Sequence, residues 1–320
     1  MAATLLFVAA SLEATQPPTS VHRIVILTYP STVPQSTAAG IDVLREGLRD
    51  LGWVDRRNVA LELRAVEREH LDEAAARIVS ERFDLIVTGP GRGGGAEGDH
   101  VDSHCHGNER RPGRLWSGPE PRPTGCNVTG ISLLGEALPG KRLELLKELV
   151  PGLRRVAAVY PERLASHPFV VQWVVDNERA ARALGLALKP LPVREPVDWD
   201  ATMVALTRDG ISALSIIESP VFAASMPALS VAAVRHRRPT LCPLRSNVEA
   251  GCLIGYGTST KASWLRAAVY VDKILKGAKP ADLPIEQPTK FELILNLKTA
   301  RAMGLAIPKS VLLRADEVLE

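Results

Sequence analysis

The chain has few aromatic residues and no large excess of either charge. Phe, Trp and Tyr make up 4% of its 320 residues, and 39 basic residues stand against 36 acidic ones. Proteins that hold single strands of nucleic acid rely on aromatic stacking and a basic groove, so this composition argues against that class. We therefore expect no nucleic acid partner.

Cysteine is also scarce, with four residues at positions 105, 126, 242 and 252. They show no CxxC spacing, which predicts neither a structural zinc site nor a disulfide framework. We interpret Cys242 and Cys252 as small buried hydrophobic residues, with a redox pair as the alternative.

The sequence motifs of common enzyme classes are missing. The chain contains no G-x-S-x-G, no P-loop and no H-E-x-x-H. A glycine-rich run at residues 89–94 follows a predicted strand, but no helix pattern comes after it, and a phosphate site depends on a helix N-terminus. No catalytic residue, metal or cofactor is predicted.

What the sequence does contain is an alternation of strand and helix patterns. The first series predicts strands at residues 24–28, 59–63 and 84–88, with helices at 36–51 and 71–82 between them. A second series begins near Pro139, with a helix at 141–150 and strands near 156–160, 186–191, 213–217 and 240. Short loops between such elements predict parallel, doubly wound sheets, so the fold class is α/β with two Rossmann-like lobes.

The last seventy residues carry a distinctive run, "YGTS…RAAVYVDKILKGAKPADLPIEQPTKFELILNLKTARAMGL". It predicts a helix at about 260–276, an extended connector at 280–288 and a further helix over 291–303. This run resembles the C-terminal part of the solute-binding proteins of bacterial ABC transporters, and within them the branch that binds tryptophan or tyrosine. The resemblance extends over residues 21–90 and 126–320.

The resemblance implies a fold like that of the type I periplasmic binding proteins, with a hinge between the lobes. It implies that a small organic ligand, such as an aromatic or other amino acid, is captured between the lobes. The closed receptor would dock on a membrane permease, and the protein would be exported to the periplasm or another extracytoplasmic space. We expect a monomer.

The predicted division of the chain has three parts. Residues 1–20 are a leader or a partial signal segment. Residues 21–130 plus about 253–285 form an amino-terminal lobe, and residues 131–252 plus about 286–320 form a carboxyl-terminal lobe. Because the chain's tail returns across both series, crossings between the lobes are expected near 127–131, 251–257 and 283–288. Several parallel hinges of this kind let two lobes close as rigid bodies.

Residues 89–125 interrupt this pattern. Fifteen of these 37 residues are Gly or Pro, and we can write no strand or amphipathic helix through them. The histidines and cysteine of the run DHVDSHCH, at residues 99–106, suit a metal by type, but chance is the better explanation, since no element fixes them.

A shift of reading frame explains the interruption better. Codons can be chosen for residues 98–124 so that the same bases, read one position later, spell ETTSTAIVMATSGDPVGSGLVPSLARP. That string supplies a missing strand, AIVMA, and resembles the family's own connection at this point. We predict that the amino-terminal lobe folds poorly if the residues are as written.

Ligands of open α/β sheets bind beyond the carboxyl ends of the strands. The candidate binding residues at those ends are Tyr29, Ser31, Thr32, Thr88, Gly89, Tyr160, Glu162, Glu218, Ser219, Ser246, Asn247 and Tyr256. A tyrosine there suits a ligand with an apolar or aromatic body, and Glu162 or Glu218 suits an ammonium group. The alternatives are local: turn formation for Ser31 and Thr32, solvation for the two glutamates, and hinge packing for Tyr256.

Two other functions remain open from the sequence. One is a soluble α/β enzyme that acts on a small molecule, and the other is a cytosolic ligand sensor with the same fold.

Overall fold

The computed structural model describes residues 21–28, 34–66, 70–88, 99–102, 128–131 and 138–320. The predicted leader lies outside these residues. The strands are β1 (His22–Thr28), β2 (Val59–Ala65), β3 (Leu85–Thr88), β4 (Asp99–Asp102), β5 (Val128–Ile131), β6 (Arg155–Pro161), β7 (Ala187–Val193), β8 (Ala213–Ile216), β9 (Thr240–Cys242), β10 (Ile254–Thr258), β11 (Ile285–Glu286), β12 (Phe291–Asn296) and β13 (Glu317–Leu319). The helices are α1 (Pro34–Asp50), α2 (Leu71–Ser80), α3 (Leu138–Leu149), α4 (Pro168–Ala183), α5 (Trp199–Arg208), α6 (Pro220–Arg235), α7 (Arg245–Glu249), α8 (Thr260–Leu275), α9 (Leu297–Met303) and α10 (Lys309–Leu312).

The first sheet has six strands in the order β11-β5-β4-β3-β1-β2. Strand β1 is parallel to both β2 and β3. Its apolar run is buried on both faces, with Ile24 and Ile26 in one cluster and Val25 in another, as expected for a strand inside a parallel sheet. We call this sheet with α1, α2 and α8 the six-stranded lobe.

Helices α1 and α8 pack closely against each other on one face of this lobe. The approach depends on Gly40, because a Cβ there would stand 2.3 Å from Nε1 of Trp264. A long-range hydrogen bond joins the same region, since Nε1 of Trp53 donates to Oδ1 of Asp272 at 2.8 Å. These contacts attach a helix from residues 260–275 to a core built from residues 24–87.

The second sheet has seven strands in the order β13-β12-β10-β9-β8-β6-β7. Its pairs from β7 through β10 are parallel, and β12 runs antiparallel to β10. Helices α3, α4 and α10 lie on one face, and α5, α6 and α9 lie on the other, as right-handed connections require. We call this unit the seven-stranded lobe. The predicted fold of two doubly wound α/β lobes is confirmed.

The chain passes between the two sheets three times. It leaves the six-stranded sheet after β5, returns to that lobe after β10, and leaves it again after β11. Two of these crossings are tied together, because the Ser259 N–H donates to the Lys290 carbonyl at 3.2 Å. By sheet membership β10 belongs to the seven-stranded lobe, and the exact division into lobes stays a prediction.

The helix predicted over residues 291–303 is wrong in its first half. Residues 291–296 form β12, whose Leu293, Ile294 and Leu295 are all buried in the sheet. The helix begins only at Leu297, where Oδ1 of Asn296 accepts a hydrogen bond from the Thr299 N–H at 2.8 Å. The N-cap residue therefore separates two elements that hydrophobic periodicity had joined.

The prediction that residues 89–125 hold no strand is also wrong. The four residues DHVD form β4, which pairs antiparallel with both β3 and β5. The frameshift hypothesis would place AIVMA at residues 103–107, which lie outside the described residues. The hypothesis itself stays a prediction.

The two cysteines interpreted as unlinked form a disulfide. Cys242 ends β9, and Cys252 lies just before β10, with 6.5 Å between their Cα atoms. Spacing along the chain did not indicate this bond, because the two cysteines meet only when the segment that contains α7 returns to the neighbouring strand. Both residues are fully buried.

None of the helices in the described part of the chain has the length and hydropathy that a membrane crossing requires.

Candidate functional site

The candidate site is the edge at which the parallel strands of both lobes end. The three crossings leave from the carboxyl ends of β5, β10 and β11, so this edge of each sheet lies toward the other lobe. In open α/β sheets this is where ligands bind. The seven-stranded lobe contributes the ends of β6, β8, β9 and β10.

Tyr160 lies at the end of β6, but its side chain belongs to the hydrophobic core. Only 9% of the residue is exposed, and burial raises the pKa of its hydroxyl. Glu162 follows it on the surface, where Nε of Arg194 donates to its carboxylate at 2.7 Å. That hydrogen bond lowers the pKa of Glu162, so this carboxylate already has a cationic partner.

Glu218 and Ser219 lie directly after β8. Glu218 is half-buried, and burial raises the pKa of its carboxyl group, an effect that the charge of Arg142 opposes. Ser219 precedes α6, but its side chain makes no capping hydrogen bond. Its buried Oγ has no partner among the residues that the structure describes. Both side chains therefore retain polar groups that a ligand could use.

Ser246 and Asn247 lie on α7, between the two cysteines of the disulfide. Ser246 is exposed, whereas Asn247 is buried and its Oδ1 accepts the Leu244 N–H at 3.2 Å. Asn247 thus shapes the loop that follows β9.

Tyr256 lies in β10, next to the crossing. Its ring stacks on that of Phe291, with 6.1 Å between centroids and 29° between planes. This contact favours the hinge-packing interpretation of Tyr256. The glycine that follows, Gly257, is required for close approach, because a Cβ there would stand 2.0 Å from the carbonyl oxygen of Pro243.

The remaining predicted residues belong to the six-stranded lobe. Tyr29, Ser31, Thr32 and Gly89 lie outside the described residues. Thr88 ends β3, where it is opposite Leu27 of β1, so the backbone reaches the expected edge.

Arg142 is a candidate site residue that the sequence analysis did not select. It lies in the first half of α3, and only 8% of it is exposed. Its Nε donates to the Tyr256 carbonyl at 2.7 Å, and burial lowers the pKa of its guanidinium to about 10. The signal was an arginine on the same helical stripe as Leu145, Leu146 and Leu149, where a charge is unexpected.

The described residues include no group of three His, Cys, Asp or Glu side chains that could hold a metal ion. His104, Cys105 and His106 of the run DHVDSHCH lie outside those residues. An open groove of about 320 Å³ runs along β7 and α5 and contains none of the predicted site residues.

Two doubly wound lobes, three crossings and polar residues at the strand ends between them define a two-lobe ligand-binding fold. The chain matches the model of the family described as "ABC transporter substrate binding protein" over residues 120–319, which is more than half of its length. It belongs to that family of proteins that bind a small ligand.

Solved structures show the same fold. One is a conserved domain protein of Vibrio cholerae, with 18% identity and a TM-score of 0.69, covering 93% of this chain and 100% of that one. Another is an ABC domain from Streptococcus pneumonia in complex with L-Trp, with 20% identity and a TM-score of 0.68, covering 94% and 100%. A third is the ligand-free, open substrate binding protein CD0873 of Clostridium difficile, with 18% identity and a TM-score of 0.65, covering 93% and 99%. None of the curated proteins matches the chain in sequence.

Proposed function

We propose that this protein is the extracytoplasmic solute receptor of an ABC importer. It captures a small organic ligand between its lobes and presents the closed form to a membrane permease. The observation that carries the proposal is the set of three crossings at the carboxyl edges of two separate sheets. A ligand that contacts both edges stabilises the closed form over the open one. A permease that binds only the closed form would then distinguish the loaded receptor from the empty one.

The disulfide supports an extracytoplasmic location. Disulfides persist in oxidising compartments and are rare in the reducing cytosol. The bond between Cys242 and Cys252 is buried beside the candidate site, in the loop that carries Asn247. This observation favours export over the alternative of a cytosolic sensor.

We propose an amino acid, with aromatic ones first, as the ligand. The support is the L-Trp held by the Streptococcus pneumonia structure of the same fold. The proposed contacts in the seven-stranded lobe are Glu218, Ser219 and Asn247, and those in the other lobe are the residues after β1 and β3: Tyr29, Ser31, Thr32, Thr88 and Gly89. The receptor acts as a monomer, binds no nucleic acid and releases its ligand unchanged.

A thermal-shift screen of the full chain against the twenty L-amino acids and a set of sugars tests this function. A ligand at 100 times its Kd stabilises a protein by about 2.7 kcal/mol, which is readily measured. Mass spectrometry of the recovered ligand is the control. A chemically altered compound would contradict the receptor and support the soluble enzyme.

Location is tested separately by fractionating cells that express the tagged protein from its native gene. Recovery with the periplasmic or surface fraction is expected, and recovery in the cytosol alone would support the sensor.

A further inference from the structure

A cluster of arginines lies at the amino-terminal edge of the seven-stranded sheet, opposite the candidate site. Three segments lead into the neighbouring parallel strands β6, β8 and β9 there, namely residues 150–155, 207–212 and 235–239. Together they contain six arginines and one acidic residue, which is a net charge of +5 with histidine neutral. The whole chain has a net charge of +3, so the rest of it carries −2. We call this surface the basic edge: Arg154, Arg155, Arg208, Arg235, Arg237 and Arg238.

Hydrogen bonds hold the three segments together. Nη1 of Arg155 donates to the Asp209 carbonyl at 2.7 Å, and Nη2 of Arg238 donates to Oγ1 of Thr207 at 2.8 Å. Segments that lead into β6 and β9 are thus both tied to the segment between them. The carboxylate of Asp209 does not neutralise the basic edge, because it is already paired with Lys189.

Most residues of the basic edge face solvent without an acidic partner. All of them are exposed except Arg238, which is half-buried. Arg235 pairs with Asp200 at 2.6 Å. No ion pair joins three of the others to any residue in the described part of the chain, namely Arg154, Arg208 and Arg237. Like charges on one surface repel each other, and an anionic partner that approaches them relieves this repulsion.

Arg237 occupies a backbone conformation that favours glycine. It follows His236, the C-cap of α6, and has a φ of 51°. At the same position after α4 and α5 the chain has Gly185 and Gly210, each with a φ of 67°. A side chain in this left-handed conformation costs free energy that glycine avoids. The chain thus has an arginine where glycine would give a more stable turn, which points to a role for its charge.

We propose that the basic edge binds the anionic headgroups of a membrane surface and keeps the receptor close to its permease. Arginine suits this partner, because a guanidinium group forms paired hydrogen bonds with phosphate. The three segments contain no aromatic residue on which a base could stack, which argues against single-stranded nucleic acid. The choice of a lipid surface rests on the proposed receptor function, whereas the attraction for anions does not. Since the basic edge and the candidate site lie at opposite ends of the strands, both can be occupied together.

Co-sedimentation of the full chain with lipid vesicles tests the proposal. One set of vesicles is phosphatidylcholine alone, and the other contains about one third phosphatidylglycerol, which is anionic. Binding is expected to the anionic set only. It should weaken as salt is added, because the attraction between exposed charges is screened beyond about 8 Å at about 0.15 M ionic strength. Each unpaired arginine should contribute about fivefold to the affinity for anionic vesicles.

Arg237→Gly separates the role of the charge from stability. It relaxes the backbone and removes one unpaired charge, so it should raise the Tm and weaken vesicle binding about fivefold. Arg82→Gly is the matched control, because Arg82 is an exposed arginine with a φ of 56° after α2, in the other lobe. It should also raise the Tm but leave vesicle binding as in wild type. The triple variant Arg154→Gln/Arg208→Gln/Arg237→Gly should bind anionic vesicles about 100-fold more weakly.

The outcomes distinguish this inference from the receptor function. Absence of binding to anionic vesicles, equal binding to both sets, or equal weakening by Arg82→Gly and Arg237→Gly would overturn the basic edge as a membrane-binding surface. Tighter binding to single-stranded DNA than to anionic vesicles at the same salt would overturn the choice of partner. A chain that binds a solute in the thermal-shift screen but no vesicle keeps the receptor function and loses this inference. Vesicle binding that depends on Arg237, in a chain that binds no solute, supports the basic edge and counts against the receptor function.

Discussion

The disulfide between Cys242 and Cys252 should stabilise the seven-stranded lobe, by an amount that can be worked from the length of the loop it closes. The two residues are 10 positions apart, so the bond closes a short loop in the unfolded chain. The loss of chain entropy for a loop of that size corresponds to about 2.7 kcal/mol at 25 °C. Reduction should therefore lower the free energy of unfolding of the seven-stranded lobe by about that amount, and its Tm by roughly 5–11 °C.

Guanidinium unfolding with and without a phosphine reductant measures this difference. Because both sulfurs are buried, the reductant should act only on the unfolded chain, and the reduced protein should be prepared by refolding in its presence. The double variant Cys242→Ala/Cys252→Ala is the control and should not respond to reductant. Peptide mapping without reductant should recover the linked pair. Two free thiols at these positions in protein isolated from an oxidising compartment would refute the reasoning.

Three further predictions concern the hinge and the interrupted segment. Gly257→Ala should lower the free energy of unfolding by about 1–3 kcal/mol in denaturant titrations, because its Cβ would overlap the Pro243 carbonyl oxygen. The control is Gly140→Ala, which should be neutral or stabilising, because a Cβ there would have no neighbour within 4 Å. The Arg266 hydrogen bond lowers the pKa of Glu286, so the pair should contribute up to about 1 kcal/mol above pH 4.5 and lose it as the pH falls through the lowered pKa. Glu286→Gln should abolish that acid-dependent part in pH-dependent unfolding, and an unchanged slope would count against the pair. Hydrogen exchange should show the six-stranded sheet less protected than the seven-stranded one. Replacing residues 98–124 by ETTSTAIVMATSGDPVGSGLVPSLARP should raise the protection of the six-stranded sheet to that of the other. Equal protection of the two sheets in the original chain would contradict the prediction.

The strands buried on both faces could be predicted from sequence because their apolar runs are continuous. Residues 24–28 and 156–160 are such runs, and they lie within β1 and β6. Residues 291–296 are mostly apolar but include Glu292 and Asn296, and they join directly to a helical pattern without a Gly or Pro between them. The boundary depends on the side chain of Asn296, which acts as an N-cap only once β12 is paired with β10 and β13.

The candidate site could be predicted only in part, because strand ends indicate a position along the chain and not the direction of a side chain. The expectation that ligands bind at the carboxyl ends of strands selected Tyr160, whose ring is in the core, and Glu162, which pairs with Arg194. It could not select Arg142, which comes from a helix and reaches the edge through its long side chain. The disulfide was missed for a similar reason, since it depends on the return of a loop to an adjacent strand.

The hydrogen bond from the Ser259 N–H to the Lys290 carbonyl has a mechanical consequence. It extends the antiparallel pairing of β10 and β12 by one hydrogen bond, so the second and third crossings run side by side where they meet the seven-stranded sheet. Because the two segments are joined there, we expect them to bend together when the lobes close and not as two independent hinges.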